Sequence, residues 1–159
     1  RVPGMLEVLA THQPWACLMH MKGLPKTMQQ GQIHYDNVVE QVGAWLVESV
    51  DAARNLGVDL TNVLVDPGIG FGKTDEHNLA LTKGCGELSD RTGCAVLYGA
   101  SRKSIVGRLA NVSQPDQRLA GSLSLAGAAY RSGARVFRVH DVAPTVQYLK
   151  LEVALRHSD

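Results

Sequence analysis

The chain is short of charge of either sign in excess. Lys and Arg number 16 against 15 Asp and Glu in 159 residues, so no broad field is available to hold nucleic acid or an anionic membrane, and any anion must be bound by a local site. No apolar run approaches the roughly 20 residues that a membrane helix requires. The first residues lack the order of basic, apolar and small residues that marks a signal peptide, so a cytoplasmic location is expected. Only three cysteines occur, Cys17, Cys85 and Cys94; an odd count without CxxC or Cys/His metal spacing points to buried reduced thiols. HExxH pairs, a Ser-His-Asp order and a carboxylate dyad are all missing. So are linkers, low-complexity tracts and short repeats, which leaves one domain or part of one across residues 1–159.

What is present is a repeated pattern. Four short apolar runs bounded by turn residues read as buried strands: Ala16 to His20, Asn62 to Asp66, Ala95 to Tyr98, and Arg135 to His140. Each is followed by a polar or glycine-rich loop and a helical pattern. The first such helix spans about Tyr35 to Leu56 and is stopped by Gly57. Asp75 is placed to cap the next, a short helix starts at Lys103, a longer one spans Pro115 to Ser132, and the last runs from Pro144 to Arg156. Before them, Pro3-Gly4 and then Met5, Leu6, Val8, Leu9 and Ala10 read as a helix already under way, and the first residue is Arg1; the chain is expected to begin within a domain. Alternating β and α units make a parallel sheet, with ligands at the carboxyl ends of the strands. Periodicity leaves two architectures open. An open doubly wound sheet can be complete in about 150 residues, whereas a closed (β/α)8 TIM barrel takes about 250.

Polar residues gather at all four strand ends. Met19 and His20 end the first strand, ahead of a loop bent by Gly23 and Pro25. Asp66 ends the second, where burial is costly unless its oxygens are paired and Pro67 withholds the next N–H. A ligand with two parallel N–H donors would satisfy it, as would water. Gly68, Gly70 and Gly72 let backbone approach a ligand, and Phe71 offers a ring face. Gly72-Lys73-Thr74 is not a Walker loop, because the GxxxxGK[ST] spacing is absent. Gly99-Ala100-Ser101-Arg102-Lys103-Ser104 opens a helix with two cations and free N–H groups, suited to an oxyanion or a carbonyl-rich ring. Arg138 and His140 alternate onto one side of the last strand and read as a phosphate or diphosphate grip, or else Arg138 forms an internal ion pair, for instance with Asp66.

Taken together, LMHMKGLPKTMQ, VDPGIGFGK, YGASRKS, RVHDV and the Arg118-Leu119-Ala120-Gly121-Ser122 run resemble dihydropteroate synthases over nearly the whole chain. The resemblance implies an α/β fold, a (β/α)8 TIM barrel of which this chain holds about the last four βα units, with the N-terminal strands absent. It implies transfer of a dihydropterin from its diphosphate to p-aminobenzoate in folate biosynthesis. Lys103, Arg138 and His140 would act in catalysis. Asp66 would take the pterin N3–H and 2-amino group, Lys103 its polar edge, and Met19 and Arg138 would line the ring. Phe71, Gly72 and Ser104 would serve the p-aminobenzoate side, Gly99 would lie at the substrate, and Arg138 with His140 would hold the diphosphate. Mg²⁺ would accompany the diphosphate, its protein ligand lying outside this chain, so no metal ligand is expected here. Partners would be these small molecules, with sulfonamides as inhibitors of the class and a homodimer at full length, and no nucleic acid or membrane.

Overall fold

The computed structural model describes residues 3–23 and 33–156. In chain order they form α1 (Met5–His12), β1 (Ala16–Met19), α2 (Val38–Asn55), β2 (Val63–Asp66), α3 (Asp75–Lys83), α4 (Cys85–Thr92), β3 (Ala95–Tyr98), α5 (Ser104–Leu109), α6 (Leu119–Arg131), β4 (Val136–Phe137) and α7 (Val142–Arg156). Of the stretch expected to form a loop bent at Gly23 and Pro25, residues Leu24 to Gln29 lie outside the described residues. None of the helices is long and apolar enough to cross a membrane.

The four strands pair in parallel in the order β1-β2-β3-β4. Met19 stands opposite Asp66, and Leu97 opposite Val136. Sequential order combined with right-handed crossovers puts every helix on the same face, whereas a doubly wound sheet must reverse its order to cover both. Burial follows this. Val63, Val65, Val96 and Tyr98 point to the helices and are buried, while Leu64, Ala95, Leu97 and Val136 on the other face are only partly covered. The strand order is that of a barrel wall.

Helix α2 supplies much of the covered side. Asn37 caps it by accepting the Glu40 N–H, and Val38, Val42, Leu46, Val50 and Ala53 recur at three- and four-residue spacing to make one buried stripe. Each fully buried Val or Leu there contributes about 1.5–3 kcal/mol. The stripe packs on α4 and α3 as well as on β1.

Several boundaries differ from the sequence expectation. Thr74, not Asp75, caps α3: its hydroxyl accepts the His77 N–H while His77 Nδ1 accepts the Thr74 N–H, a reciprocal box that leaves Asp75 in the first turn to bind Arg108 through both oxygens. The helical stretch after β2 breaks at Gly84, where a Cβ would stand 2.8 Å from Val39 of α2. Residues Pro115–Gln117 form a 3-10 turn rather than the start of α6, and α7 begins at Val142, with Pro144 in its first turn. β4 has two residues where six were expected. Among the described residues its partner strand is β3, with bonds from Arg135 N–H to Val96 O and from Arg138 N–H to Tyr98 O at its two ends, and β3 ends at Tyr98. Finally, Cys85 and Cys94 are buried thiols as expected, but Cys17 is exposed, because it lies on the uncovered face of the outermost strand.

Candidate functional site

The carboxyl ends of β1, β2 and β3 and the loops beyond them converge on Asp66. Its side chain is 2% exposed. Pro67 supplies no N–H, as the sequence implied, and the donor comes from one residue further on: Gly68 N–H meets Oδ1 at 2.7 Å. Arg138 Nη2 lies 3.3 Å from Oδ2, so the internal ion pair left open by the sequence is formed. Burial pushes the Asp66 carboxyl above the ordinary carboxylate range, against the opposing pull of the Gly68 bond and of Arg138, Lys103 and Lys73.

The β2–α3 loop is shaped by glycine. Gly68 and Gly72 both have positive φ, 71° and 65°, and each lies hard against the β1 end: a Cβ on Gly68 would meet the His20 carbonyl at 1.8 Å and one on Gly72 the Lys22 carbonyl at 2.4 Å. The loop's polar groups are tied down one by one. Asn78 Oδ1 accepts the Gly70 N–H at 2.8 Å and its amide donates to Thr74 O, Lys103 Nζ donates to Ile69 O at 2.6 Å, and Lys73 Nζ donates to Phe71 O at 3.0 Å. Lys103 also stands 4.4 Å above the Phe71 ring. Burial pulls its amine down to about 8, with Asp66 opposing that shift.

The β3–α5 loop is held to the β4–α7 loop. Ser101 Oγ accepts the His140 N–H and lies 3.2 Å from His140 Nδ1. Arg102 grips both carboxylate oxygens of Asp141. Arg102 has φ 56°, its N–H bonds Ser122 Oγ, and its carbonyl receives the Arg118 guanidinium at 2.9 Å. This framework sets the direction of Lys103.

The predicted residues therefore separate into groups. Asp66, Phe71, Lys103 and Arg138 come together directly. Met19 is in register with Asp66, and Gly99 makes room for Arg138, whose Nη2 would be 3.1 Å from a Cβ there. Gly72 is buried against Lys22, and Ser104 is exposed at the start of α5. Arg138 and His140 do not share a strand face, because β4 has ended before them; Arg138 turns to Asp66 and His140 to Ser101, and both are exposed. The supporting roles of Lys73, Asn78, Arg102, Arg118 and Asp141 are not legible in the motifs, although all but Asn78 lie within them; Arg102, one of the two cations expected to face an anion, is paired with Asp141 instead. Asn78 has no sequence signal, since its partner is a backbone N–H eight residues back.

Comparison with known proteins agrees with this geometry. Residues 1–140 match the family described as pterin binding enzyme. The dihydropteroate synthase of Escherichia coli K12 is 41% identical over 149 residues, 94% of this chain and 52% of that protein. That of Neisseria meningitidis serogroup B is 40% identical over 155 residues, 96% of this chain and 54% of that protein. Among solved structures, the Xanthomonas albilineans dihydropteroate synthase in complex with 7,8-dihydropteroate aligns with TM-score 0.90 and 38% identity over 100% of this chain and 57% of that one. A Yersinia pestis dihydropteroate synthase with a sulfonamide drug aligns with TM-score 0.93 and 38% identity, over the same shares. The chain spans about half the length of the curated relatives it matches. Its four βα units are part of a TIM barrel, and the chain belongs to the pterin-binding enzyme family.

Proposed function

We propose that this chain is the C-terminal part of a single pterin-binding barrel domain and supplies one side of a dihydropteroate synthase site. The observation that carries the proposal is the buried Asp66 carboxylate, ringed by Lys73, Lys103 and Arg138 at the ends of parallel strands. A pterin presents N3–H and its 2-amino group as two parallel donors, the complement of a fixed carboxylate, and its ring carbonyl would then fall toward a cation such as Lys103. Met19 and Arg138 would flank the ring, with Gly99 leaving space for the guanidinium. Phe71 and Ser104, with Gly72 shaping the loop, would serve p-aminobenzoate. Arg138 and His140 would hold the diphosphate.

The reaction breaks the C–O bond to the diphosphate, forms a C–N bond to the arylamine, and releases pyrophosphate and the amine's proton. The chain's own contribution is placement together with stabilisation of leaving-group charge by Arg138, His140 and Lys103. No three His, Cys, Asp or Glu side chains gather as metal ligands among the described residues, and the groups that face the proposed diphosphate are cationic or hydrogen-donating. That donor set suits an anion rather than Mg²⁺, so Mg²⁺ would arrive with the diphosphate, and no step here is routed through it. The location would be cytoplasmic, and a homodimer would form at full length.

Calorimetric titration with the dihydropterin diphosphate, and with the same pterin lacking the diphosphate, tests the proposal. Arg138→Ala should weaken the diphosphate ligand about tenfold, ~1.4 kcal/mol, and the bare pterin much less. Arg138 is 57% exposed at its side chain, which keeps the expected loss below that of a buried pair. Equal losses for both ligands would make Arg138 a ring or structural contact instead.

A further inference from the structure

Lys73 is an unusual residue to bury. It is 2% exposed, and among the described residues no carboxylate lies within ion-pairing distance of its ammonium group. Its two close partners are neutral acceptors on different strand ends: Phe71 O at 3.0 Å, in the β2–α3 loop, and His20 Nδ1 at 3.0 Å, just past β1. The His20 ring is itself set edge-on against Trp45 of α2, 5.3 Å between centroids. Burying a lysine without an ion pair is costly, and a methionine would fill the same space at no electrostatic cost. The polar head therefore has a use.

We propose that Lys73 is a positioning residue of the site, a strut that ties the Phe71 carbonyl to the end of β1 through His20 and so fixes the Phe71 ring relative to the Asp66 carboxylate. The strut complements Lys103, which holds the Ile69 carbonyl of the same loop from the β3 side. Between them the two lysines pin alternate carbonyls of a segment whose glycines leave it little stiffness of its own. His20 serves as acceptor because its ring stays neutral: burial, and then Lys73, push it down to about 4. Burial likewise pulls the Lys73 amine down to about 7, with Asp66 raising it and Lys103 lowering it. His77 on α3 and Lys22 beyond β1 are the other charged or titratable groups acting on this pair.

What the strut positions for rests on the proposed pterin site, but its effect on the loop does not, and the test separates the two. In the 159-residue chain, Lys73→Met, His20→Leu and His20→Asn are compared with the parent by amide hydrogen exchange. The reporter amides are Gly68, Gly70 and Phe71, all bonded within the loop region. Lys73→Met and His20→Leu should each speed their exchange about tenfold, as for one lost buried hydrogen bond, with α2 amides unchanged. His20→Asn, which keeps an acceptor near the place of Nδ1, should restore most of the protection. A folded Lys73→Met with parent-like loop exchange overturns the proposal; if that variant does not fold, His20→Leu with unchanged loop exchange does the same.

A pH readout checks that the Lys73 amine is buried where the strut requires it. A depressed lysine makes the folded chain bind fewer protons than the unfolded chain between about pH 7 and the ordinary lysine range, so stability rises with pH through that window. The urea midpoint of the parent should therefore climb relative to Lys73→Met from pH 7 to pH 10, and parallel curves would put the amine in water and overturn the strut. Pterin affinity is measured on the same samples. A five- to tenfold loss in Lys73→Met is expected if the parent binds pterin, and parent-like affinity in a variant with a loosened loop would end the positioning claim. Absence of binding in the parent would count against the pterin reading, with loop exchange still deciding whether the strut exists.

Discussion

Asp66→Asn is expected to lower pterin affinity roughly 30- to 160-fold, about 2–3 kcal/mol, and to leave the chain folded. The loss has two parts: a charge-assisted bidentate pair becomes a neutral single bond, and the new amide points a donor at a ligand donor. Folding survives because the present carboxylate is not a net stabiliser. Burial raises its pKa, so the folded chain binds more protons than the unfolded chain just above the ordinary Asp range, and stability falls as pH rises through the folded value. An asparagine removes that cost and can keep the bond from the Gly68 N–H, now 2.7 Å from Oδ1. Its amide would face Arg138, but that guanidinium is exposed and can turn to water. The same shift predicts that pterin binding weakens with acid at a pH above the ordinary carboxylate range, since only the ionised form accepts both donors. Calorimetry across pH checks both statements. Unchanged affinity in Asp66→Asn, or pterin binding that strengthens as Asp66 protonates, would remove Asp66 from the site.

Much of this was legible in residue order, and the exceptions have physical causes. β1, β2 and β3 are short apolar runs between turn residues, and the structure places them within a residue of their expected ends because buried parallel strands leave little ambiguity in period. Asp66 declared itself by ending such a run next to a proline and three glycines. Elements at the margin were harder. β4 stops after two residues because β3 ends at Tyr98, and the neighbour that decides this is 39 residues earlier. The glycine at the Gly84 break leaves room for Val39, a tertiary contact that no local pattern carries. Lysines are expected at the surface, which hid Lys73. Arg118 enters the sequence reading only through the Arg118-to-Ser122 run, yet its guanidinium holds backbone carbonyls of Val112, Ser113 and Arg102 and so supports the loop bearing Lys103. Strand ends were thus readable, whereas the supports of the loops were not, because those supports are made by residues distant in sequence.

The largest expected effect concerns turnover: the 159 residues alone form dihydropteroate at less than about a thousandth of the rate of a full-length synthase. The argument begins with the sheet. Its helix side is closed, but Leu64, Ala95, Leu97 and Val136 are only partly covered on the other side and Cys17 is exposed, so the face that would line a barrel interior lies open. β1 and β4 each have one unpaired edge in the described residues, where a closed barrel has none. The site is one-sided in the same way. Asp66, Lys103, Arg138 and His140 would approach a ligand from one wall only, and Arg138 and His140 are exposed. Open to water, their charges stabilise a departing diphosphate far less than they would in an enclosed pocket, and water competes with the arylamine for the pterin cation. Loss of a single preorganised contact to developing charge lowers a rate by about 10² to 10³, and here a whole wall of contacts is lacking, since the chain spans about half the length of its relatives. Some ligand affinity should persist, because Asp66 and its surroundings are held by bonds internal to this chain. An assay with purified chain, dihydropterin diphosphate, p-aminobenzoate and Mg²⁺ beside a full-length synthase checks the rate directly. Comparable turnover would mean that one wall of the barrel suffices for the chemistry, and the site would have to be redrawn around residues of this chain alone.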